Sequence, residues 1–293
     1  MNKVSILMPV FNEQKYVEES IQSVLIQSYD NFELIIVDDY STDDSYSLLE
    51  KYSLIDNRIK LIKNIEKGKN SAFNLAFKES SGDFICYFAG DDIMDVDSIS
   101  NRISKILNSN SLIASASKVR TISSISKFSN VIIPKKKNKG TLVGGAVMFN
   151  RDLANKIFPI PEQLPNEDRW TELHINFFAD IIHVPIISLL YRIHSDNSSS
   201  RTCSFEKKNI DMHKRFLVFK LFLDKYEEIL SDLDKKYLNS MIVSEDLRYN
   251  NKTLSLLFIP NLSIKEKIRF IFHSNKMLYS IRINFFSFFS GWG

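Results

Sequence analysis

Cysteine is nearly missing from this chain: two occur in 293 residues, Cys86 and Cys203. So small a supply excludes a disulfide-stapled scaffold and fits a reducing compartment, the cytosol. Cys86 lies in an apolar, strand-like stretch and reads as inert core rather than a nucleophile. Glycine is scarce as well, with eight residues. None builds a lysine-bearing phosphate loop after the first apolar run, where Pro9-Val10-Phe11-Asn12 stands instead. No stretch approaches the roughly eighteen consecutive apolar residues of a spanning helix. A secretory leader is not expected, because the apolar run after Lys3 stops at Pro9 with no small-residue cleavage site. Net charge is only +3, too mild an excess to imply a nucleic-acid partner. Phenylalanine, by contrast, is plentiful at 22 residues. With 44% hydrophobic and 25% charged residues, the chain is an ordinary globular one, long enough for a large α/β domain plus an appendage.

The first ninety residues alternate short β-rich runs with helical patterns. Strands are predicted at Val4–Val10, Phe32–Val37, Ile59–Ile62 and Phe84–Phe88. Helices are expected over Tyr16–Ile26, from a cap at Ser41-Thr42-Asp43-Asp44 to about Tyr52, over Ser71–Lys78 and over Asp97–Leu107. Such alternation implies parallel β-α-β units with right-handed crossovers. The Ser- and Lys-rich stretch from Ala114 to Lys139 reads as a loop or irregular hairpin. Leu142–Phe149 resumes a strand, Glu167–Phe178 is helical, and Ile181–Val184 and Ile186–Ile193 are two short strands. After Arg201 helical patterns take over. We therefore expect an α/β domain over residues 1–200 and a helical extension over 201–293.

Open parallel sheets bind ligands at the carboxyl ends of their strands. Two acidic pairs stand there, Asp38-Asp39 after the second strand and Asp91-Asp92 after the fourth. Carboxylates converging on one crevice repel unless a cation or a donor ligand intervenes, and Mg²⁺ or Mn²⁺ would bridge an Asp to a diphosphate. Capping of the following helices is the competing use of these residues. Glu167-Asp168 at the start of a helix offers either a general base or an acidic first turn favouring the helix dipole. Arg192 and His194, two apart on one strand, can serve an anion or a metal together. His174 and His183 have no such context and are taken as structural.

The ordered set Val4-Ser5-Ile6-Leu7-Met8-Pro9-Val10-Phe11-Asn12-Glu13, Ile36-Val37-Asp38-Asp39, Gly68-Lys69-Asn70-Ser71, Gly82-Asp83-Phe84-Ile85 and Ala89-Gly90-Asp91-Asp92 resembles the family 2 glycosyltransferases over about residues 3–200. That resemblance implies the A-type glycosyltransferase (GT-A) fold, a Rossmann-like, mostly parallel sheet flanked by helices. It also implies an inverting hexosyl- or N-acetylhexosaminyltransferase that uses a UDP-sugar and a divalent cation, Mn²⁺ or Mg²⁺. On it, Asp39 contacts the uracil beside Pro9, Val10 and Phe11, while Glu13, Lys69, Asn70, Gly90 and Arg192 add donor contacts. Asp91 and His194 hold the metal, with Asp92 a second ligand or a cap. Asp168 is the base and Glu167 its neighbour and runner-up, and Gly144-Gly145 lies near the reacting sugars. The family's metal motif usually begins with an Asp, where this chain has Ala89.

Over residues 265–293 five basic side chains face one acid, Glu266. Apolar positions at Ile264, Ile268, Ile271, Leu278, Ile281, Phe285, Phe288 and Phe289 recur near helical spacing. Such a segment either lies in a membrane interface or packs as a core helix. The first use agrees with what the resemblance implies for the acceptor, a polyprenyl-diphosphate-linked glycan of a surface polysaccharide (O-antigen or capsule) at the cytosolic face of the membrane. A nucleotidyltransferase lacks its phosphate loop here, and a glycosidase has no use for the nucleotide motifs. A non-catalytic sugar-nucleotide-binding protein is the alternative that Ala89 raises.

Overall fold

The computed structural model describes residues 2–194 and 204–290, with residues 284–290 as helical backbone only. Cys203, the Ser195–Ser199 stretch and the side chains of Phe285, Phe288, Phe289 and Trp292 lie outside the described residues. The chain divides into two compact units, residues 1–194 and 195–293.

The first unit runs β1 (Val4–Val10), α1 (Val17–Leu25), β2 (Phe32–Asp38), α2 (Ser45–Ile55), β3 (Ile59–Lys63), α3 (Lys69–Lys78), β4 (Phe84–Tyr87), β5 (Ile93–Met94) and α4 (Ser98–Ile103). It continues with β6 (Ile113–Ser123), β7 (Ile132–Ile133), β8 (Val147–Asn150), α5 (Arg151–Ile157), α6 (Asp168–Phe178) and β9 (Asp180–Ile193). The sheet order is β3-β2-β1-β4-β8-β6-β9-β5, with β7 paired to β6. Its first four strands are parallel, and β8 joins β4 and β6 antiparallel. Helices cover the parallel half, so β1 and β2 are apolar nearly throughout and almost wholly buried. Helix α1 turns Val17, Ile21 and Val24 inward at helical spacing. Together with Ile6, Leu34, Ile36 and Cys86 they belong to one core. Cys86 is inert by burial, which pushes its thiol pKa up.

Four expectations need correction. The stretch from Ala114 does hold a hairpin, but its first arm is β6, an eleven-residue strand inside the sheet. Ala114, Ser115, Ala116 and Ser117 read as loop by composition. They are instead small residues in a crowded position, where the Ser117 hydroxyl donates to Ala146 O at 2.8 Å. The strand after Leu142 begins only at Val147, because Gly144–Ala146 forms a 3-10 turn. The two strands after Ile181 are one, β9, with Pro185 falling where the β6–β9 register shifts. Finally, Ser41 and Thr42 do not cap a helix. Ser41 Oγ accepts from Asn12 N at 3.1 Å, and Thr42 N donates to Asn12 Oδ1 at 2.8 Å, tying the loops after β1 and β2 together, and α2 starts at Ser45.

The second unit consists, among its described residues, of α7 (Phe205–Tyr226), α8 (Asp232–Tyr249), a 3-10 turn (Leu254–Phe258), α9 (Ile264–His273) and α10 (Lys276–Ser290). Ser231 caps α8, and Ser263 with Glu266 forms a capping box on α9. The core includes Phe216, Phe219, Phe222, Leu238, Leu256 and Phe270. The apolar stripe read from the sequence is not the face that packs: Phe270 meets Phe216 at 5.3 Å between ring centroids and His273 is buried, while Ile264 and Ile268 are exposed. No helix among the described residues is long and apolar enough to cross a membrane.

Candidate functional site

The carboxyl ends of β1, β2 and β4 open on one crevice. After β2 the backbone bends sharply, with Tyr40 at φ +63°, a conformation costly for a bulky side chain. The bend is held by Asp39 Oδ1, which accepts from Asn64 Nδ2 at 2.7 Å and Gly68 N at 2.8 Å. The neighbouring Asp38 Oδ1 is buried with no hydrogen-bond partner among the described residues. Pro9 is half-buried and Val10 buried, whereas Phe11 is exposed with the Lys67 ammonium 4.6 Å from its ring centroid. Phe11 and Asp39 thus stand just past the adjacent ends of β1 and β2, where Asp39 N donates to Val10 O at 2.8 Å.

After β4, Asp91 Oδ2 lies 3.0 Å from His194 Nε2. Glu13, from the end of β1, joins them: one ligand atom from each of the three lies within 4.8 Å of the others. Gly90 permits that approach, since a Cβ there would stand 3.2 Å from Glu13 Cγ and 3.4 Å from Val10 Cγ2. Two carboxylates and an imidazole form a donor set suited to Mn²⁺ and, through the oxygens, to Mg²⁺, so the side chains fit the cation that the motif implies.

Asp92 is differently engaged. Its Oδ1 accepts from Arg192 N at 2.9 Å, and burial together with the adjacent Asp91 raises its pKa well above the usual carboxylate range. It ties the turn to β9 rather than facing the metal-type cluster. Arg192 does the same from its side chain, donating from Nε to Asp91 O at 2.7 Å and from Nη2 to Glu19 Oε2 at 2.6 Å. Arg192 and His194 both bond Asp91, the first at its carbonyl and the second at its carboxylate, and Arg192 braces the turn.

The start of α6 is tied to the start of α3 by the Lys69–Glu167 ion pair. Asp168 Oδ1 accepts from Gly144 N at 3.0 Å, and its Oδ2 is 3.4 Å from Asn166 Nδ2. Gly144 sits at φ +45°, where a side chain would be strained. The next carbonyl, Gly145 O, accepts from the wholly buried Arg102 at 2.8 Å. Glu167 is buried and pairs with Lys69 Nζ at 3.0 Å. Burial raises its pKa, Lys69 opposes the shift and Asp168 adds to it. Desolvation works against the Lys69 charge, but Glu167, Asp168 and Asp91 more than offset it and raise that pKa. Lys69 thus lies within electrostatic reach of both acidic groups.

Asn70 is not presented to the crevice as expected. Its amide donates to Pro161 O at 3.2 Å and Leu164 O at 2.8 Å, pinning the loop before α6. His174 is buried against Trp170 O, and His183 bonds Lys139 and Gly140; both are structural. Sequence reasoning placed Glu13 only among donor contacts and missed Asn64 and Arg102. The one available signal for Glu13 was a carboxylate just past a strand end.

Residues 5–158 match the family described as Glycosyl transferase family 2. Over 126 residues the chain is 36% identical to an uncharacterized glycosyltransferase of Rickettsia felis, covering 43% of this chain and 21% of that protein. It is 41% identical over 108 residues to the Escherichia coli UDP-Glc:alpha-D-GlcNAc-diphosphoundecaprenol beta-1,3-glucosyltransferase WfgD, covering 36% of this chain and 42% of that one. The matched segments thus span less than half of these relatives' length. Among solved structures, S. aureus TarS 1-349 in complex with UDP-GlcNAc superposes with a TM-score of 0.63 at 18% identity, covering 98% and 85% of the two chains. The mannosyltransferase PcManGT from Pyrobaculum calidifontis, in complex with GDP-Man and Mn2+, gives 0.57 at 15% identity, covering 93% and 86%. At such identities the likeness is one of fold, the GT-A fold. The family match takes in three strand ends of the crevice and more than half of the sequence, and on it the chain belongs to glycosyl transferase family 2.

Proposed function

We propose that the chain is an inverting glycosyltransferase of surface-polysaccharide synthesis, moving a sugar from a UDP-sugar to a hydroxyl of a lipid-linked glycan. Family membership supports the reaction class, and the donor and acceptor printed for the E. coli relative support the choice of substrates. One observation carries the reading: Lys69 lies within electrostatic reach both of Asp91, a member of the Glu13–Asp91–His194 donor set, and of Asp168, whose carboxylate is held by Gly144 N.

A divalent cation bound by Glu13, Asp91 and His194 would neutralise charge on the diphosphate. Glu13 then supplies the second carboxylate beside Asp91, since Asp92 is engaged by Arg192 N. The uracil and ribose occupy the slot between Phe11 and Asp39, where the Asn64 amide and Gly68 N hold the Asp39 carboxylate in a fixed orientation. Lys69 stabilises negative charge on the substrate side and, by pairing with Glu167, opposes the upward pKa shift that burial imposes on that carboxyl. Asp168 takes the acceptor's proton as its oxygen attacks the anomeric carbon from the face opposite the leaving UDP. The new C–O bond forms as the bond to the diphosphate breaks, and configuration inverts.

Calorimetry with UDP, with and without Mn²⁺, and a panel of nucleotide-sugars scored for metal-dependent hydrolysis or transfer test this. Mn²⁺-dependent UDP binding with turnover of one donor is expected. Ala89 favours a second reading, sugar-nucleotide binding without chemistry, and tight binding with no turnover of any donor and acceptor would establish that instead.

A further inference from the structure

The five-residue turn Leu254–Phe258 exposes three large apolar side chains, Leu254 at 77%, Leu257 at 51% and Phe258 at 82%. The turn is not loose. Leu256, between them, is buried in the helical unit, and Thr253 Oγ1 bonds Ser274 Oγ at 2.8 Å. It therefore presents its apolar tip on a fixed base. Exposed Ile264 and Ile268 of α9 follow closely in sequence, and Lys267 Nζ donates to Leu257 O at 3.0 Å, which puts a cation at the rim of the tip.

Charge within this unit is sharply divided. Residues 204–246 carry eight basic and nine acidic side chains, net −1. Residues 249–293 carry six basic side chains against Glu266 alone, net +5, and Glu266 is occupied by the Ser263 capping box and the Tyr237 hydroxyl. The excess of positive charge thus coincides with a segment that clusters large exposed apolar side chains, Leu254, Leu257 and Phe258, in one short turn. Two such surfaces facing each other in a dimer would repel, whereas an anionic bilayer supplies both the negative charge and the apolar depth.

We propose that the turn Leu254–Phe258 and the first turns of α9 form a membrane-surface anchor. Leu254, Leu257 and Phe258 enter the boundary between headgroups and acyl chains, and Lys252, Lys265, Lys267 and Arg269 meet anionic lipid phosphates. The anchor is independent of the C-terminal phenylalanines and rests on these residues alone, not on the transferase reading. It would hold the protein where a lipid-linked acceptor is found.

The test is co-sedimentation of the full chain with vesicles of phosphatidylcholine, alone or mixed with phosphatidylglycerol, alongside UDP binding in vesicle-free solution and sedimentation velocity. The parent protein should bind the anionic vesicles and be released by salt. The triple variant Leu254→Ser/Leu257→Ser/Phe258→Ser should bind about a hundredfold more weakly. Lys265→Gln/Arg269→Gln, at exposed positions, should lose about fivefold per charge removed. Parent protein that stays in the supernatant overturns the proposal, and so do variants that bind as the parent does. If the parent is instead a dimer in solution that the triple variant disperses, with no vesicle binding, the surface joins two copies and the proposal falls. UDP affinity is expected to be the same in all three proteins; its absence throughout would count against the transferase reading and leave the anchor standing.

Discussion

In the helical unit the buried guanidinium of Arg248 has every N–H engaged. Nε and Nη2 reach the two Glu245 oxygens at 2.7 and 2.6 Å, and the remaining donors reach Asn209 Oδ1, Asn209 O and His273 O. At the strand ends of the sheet unit the buried polar groups are less complete: Asp38 Oδ1 has no partner among the described residues, and Asp91 stands beside Asp92. A closed network specifies a packing arrangement, while an open one at a strand end is poised for a ligand. Buried charge alone therefore says little about function. What distinguishes the two regions is whether the protein satisfies that charge itself.

The largest effect expected is at Asp168. Asp168→Asn should lower turnover by about two to four orders of magnitude, the usual worth of a general base, with UDP affinity nearly unchanged. Glu167→Gln is the control. It removes a buried partner of Lys69 and should act mainly on stability; if it alone abolishes turnover, the two carboxylates exchange roles.

Breaking the closed network should be comparably severe in stability and silent in chemistry. Arg248→Met leaves Glu245 buried without its main partner and should destabilise the helical unit by about 3–5 kcal/mol, read by urea unfolding in far-UV circular dichroism. The double variant Arg248→Met/Glu245→Leu should recover much of that loss, which a network needed for ligand binding would not.

Acid should separate the units. Burial, helped by Arg282, Arg269 and Arg248, depresses the His273 pKa to about 4 from its ordinary 6.5. The unfolded chain takes up the proton first, so this contribution to the helical unit is full above about pH 6.5 and lost as pH falls toward 4, up to about 3 kcal/mol. In the sheet unit burial works against ionised Glu33, yet hydrogen bonds from Lys3, Ser5 and Ser81 hold its pKa at about 2. Its contribution is present above about pH 4.5 and fades between there and 2. Urea midpoints followed at Trp170, buried in the sheet unit, should hold at pH 5 while the helical signal weakens. Coincident loss of both signals with acid would remove this distinction.

The remaining effects are read in UDP binding, at single contacts of the open end. Asp91→Asn should abolish the Mn²⁺-dependent part of UDP binding, because an amide offers a hard dication no anionic oxygen. Asp39→Ala should weaken UDP about tenfold without metal, the worth of one good hydrogen bond to a ligand. Unchanged affinity in that variant would remove Asp39 from the nucleotide slot.

How much was legible follows the same division. The parallel strands and α1 declared themselves because burial on both faces, or on one stripe, imposes a period on the side chains. β6 did not, since Ala114-Ser115-Ala116-Ser117 has the composition of a loop and its use as a strand depends on the crowding of β8 and β9. Asp39, Asp91, Asp168 and His194 stood out through ordered motifs at strand and helix ends. The engagement of Asn70 by the 161–164 loop left no trace in local sequence. In the helical unit, periodicity found α9 but chose the wrong face, because Ile264 and Phe270 are equally apolar and only Phe216 decides which of them packs.

The sequence by itself thus determined the alternation of strands and helices, the family, and the residue types available at each strand end, all of them local patterns. Only the tertiary structure decided which of those residues meet. Glu13 and His194 are 181 positions apart, yet both reach Asp91, because parallel pairing of β1 with β4 and the return of β9 bring three separate strand ends within reach of one ion. Gly90 lets them close that distance, since a single Cβ there would press against Glu13.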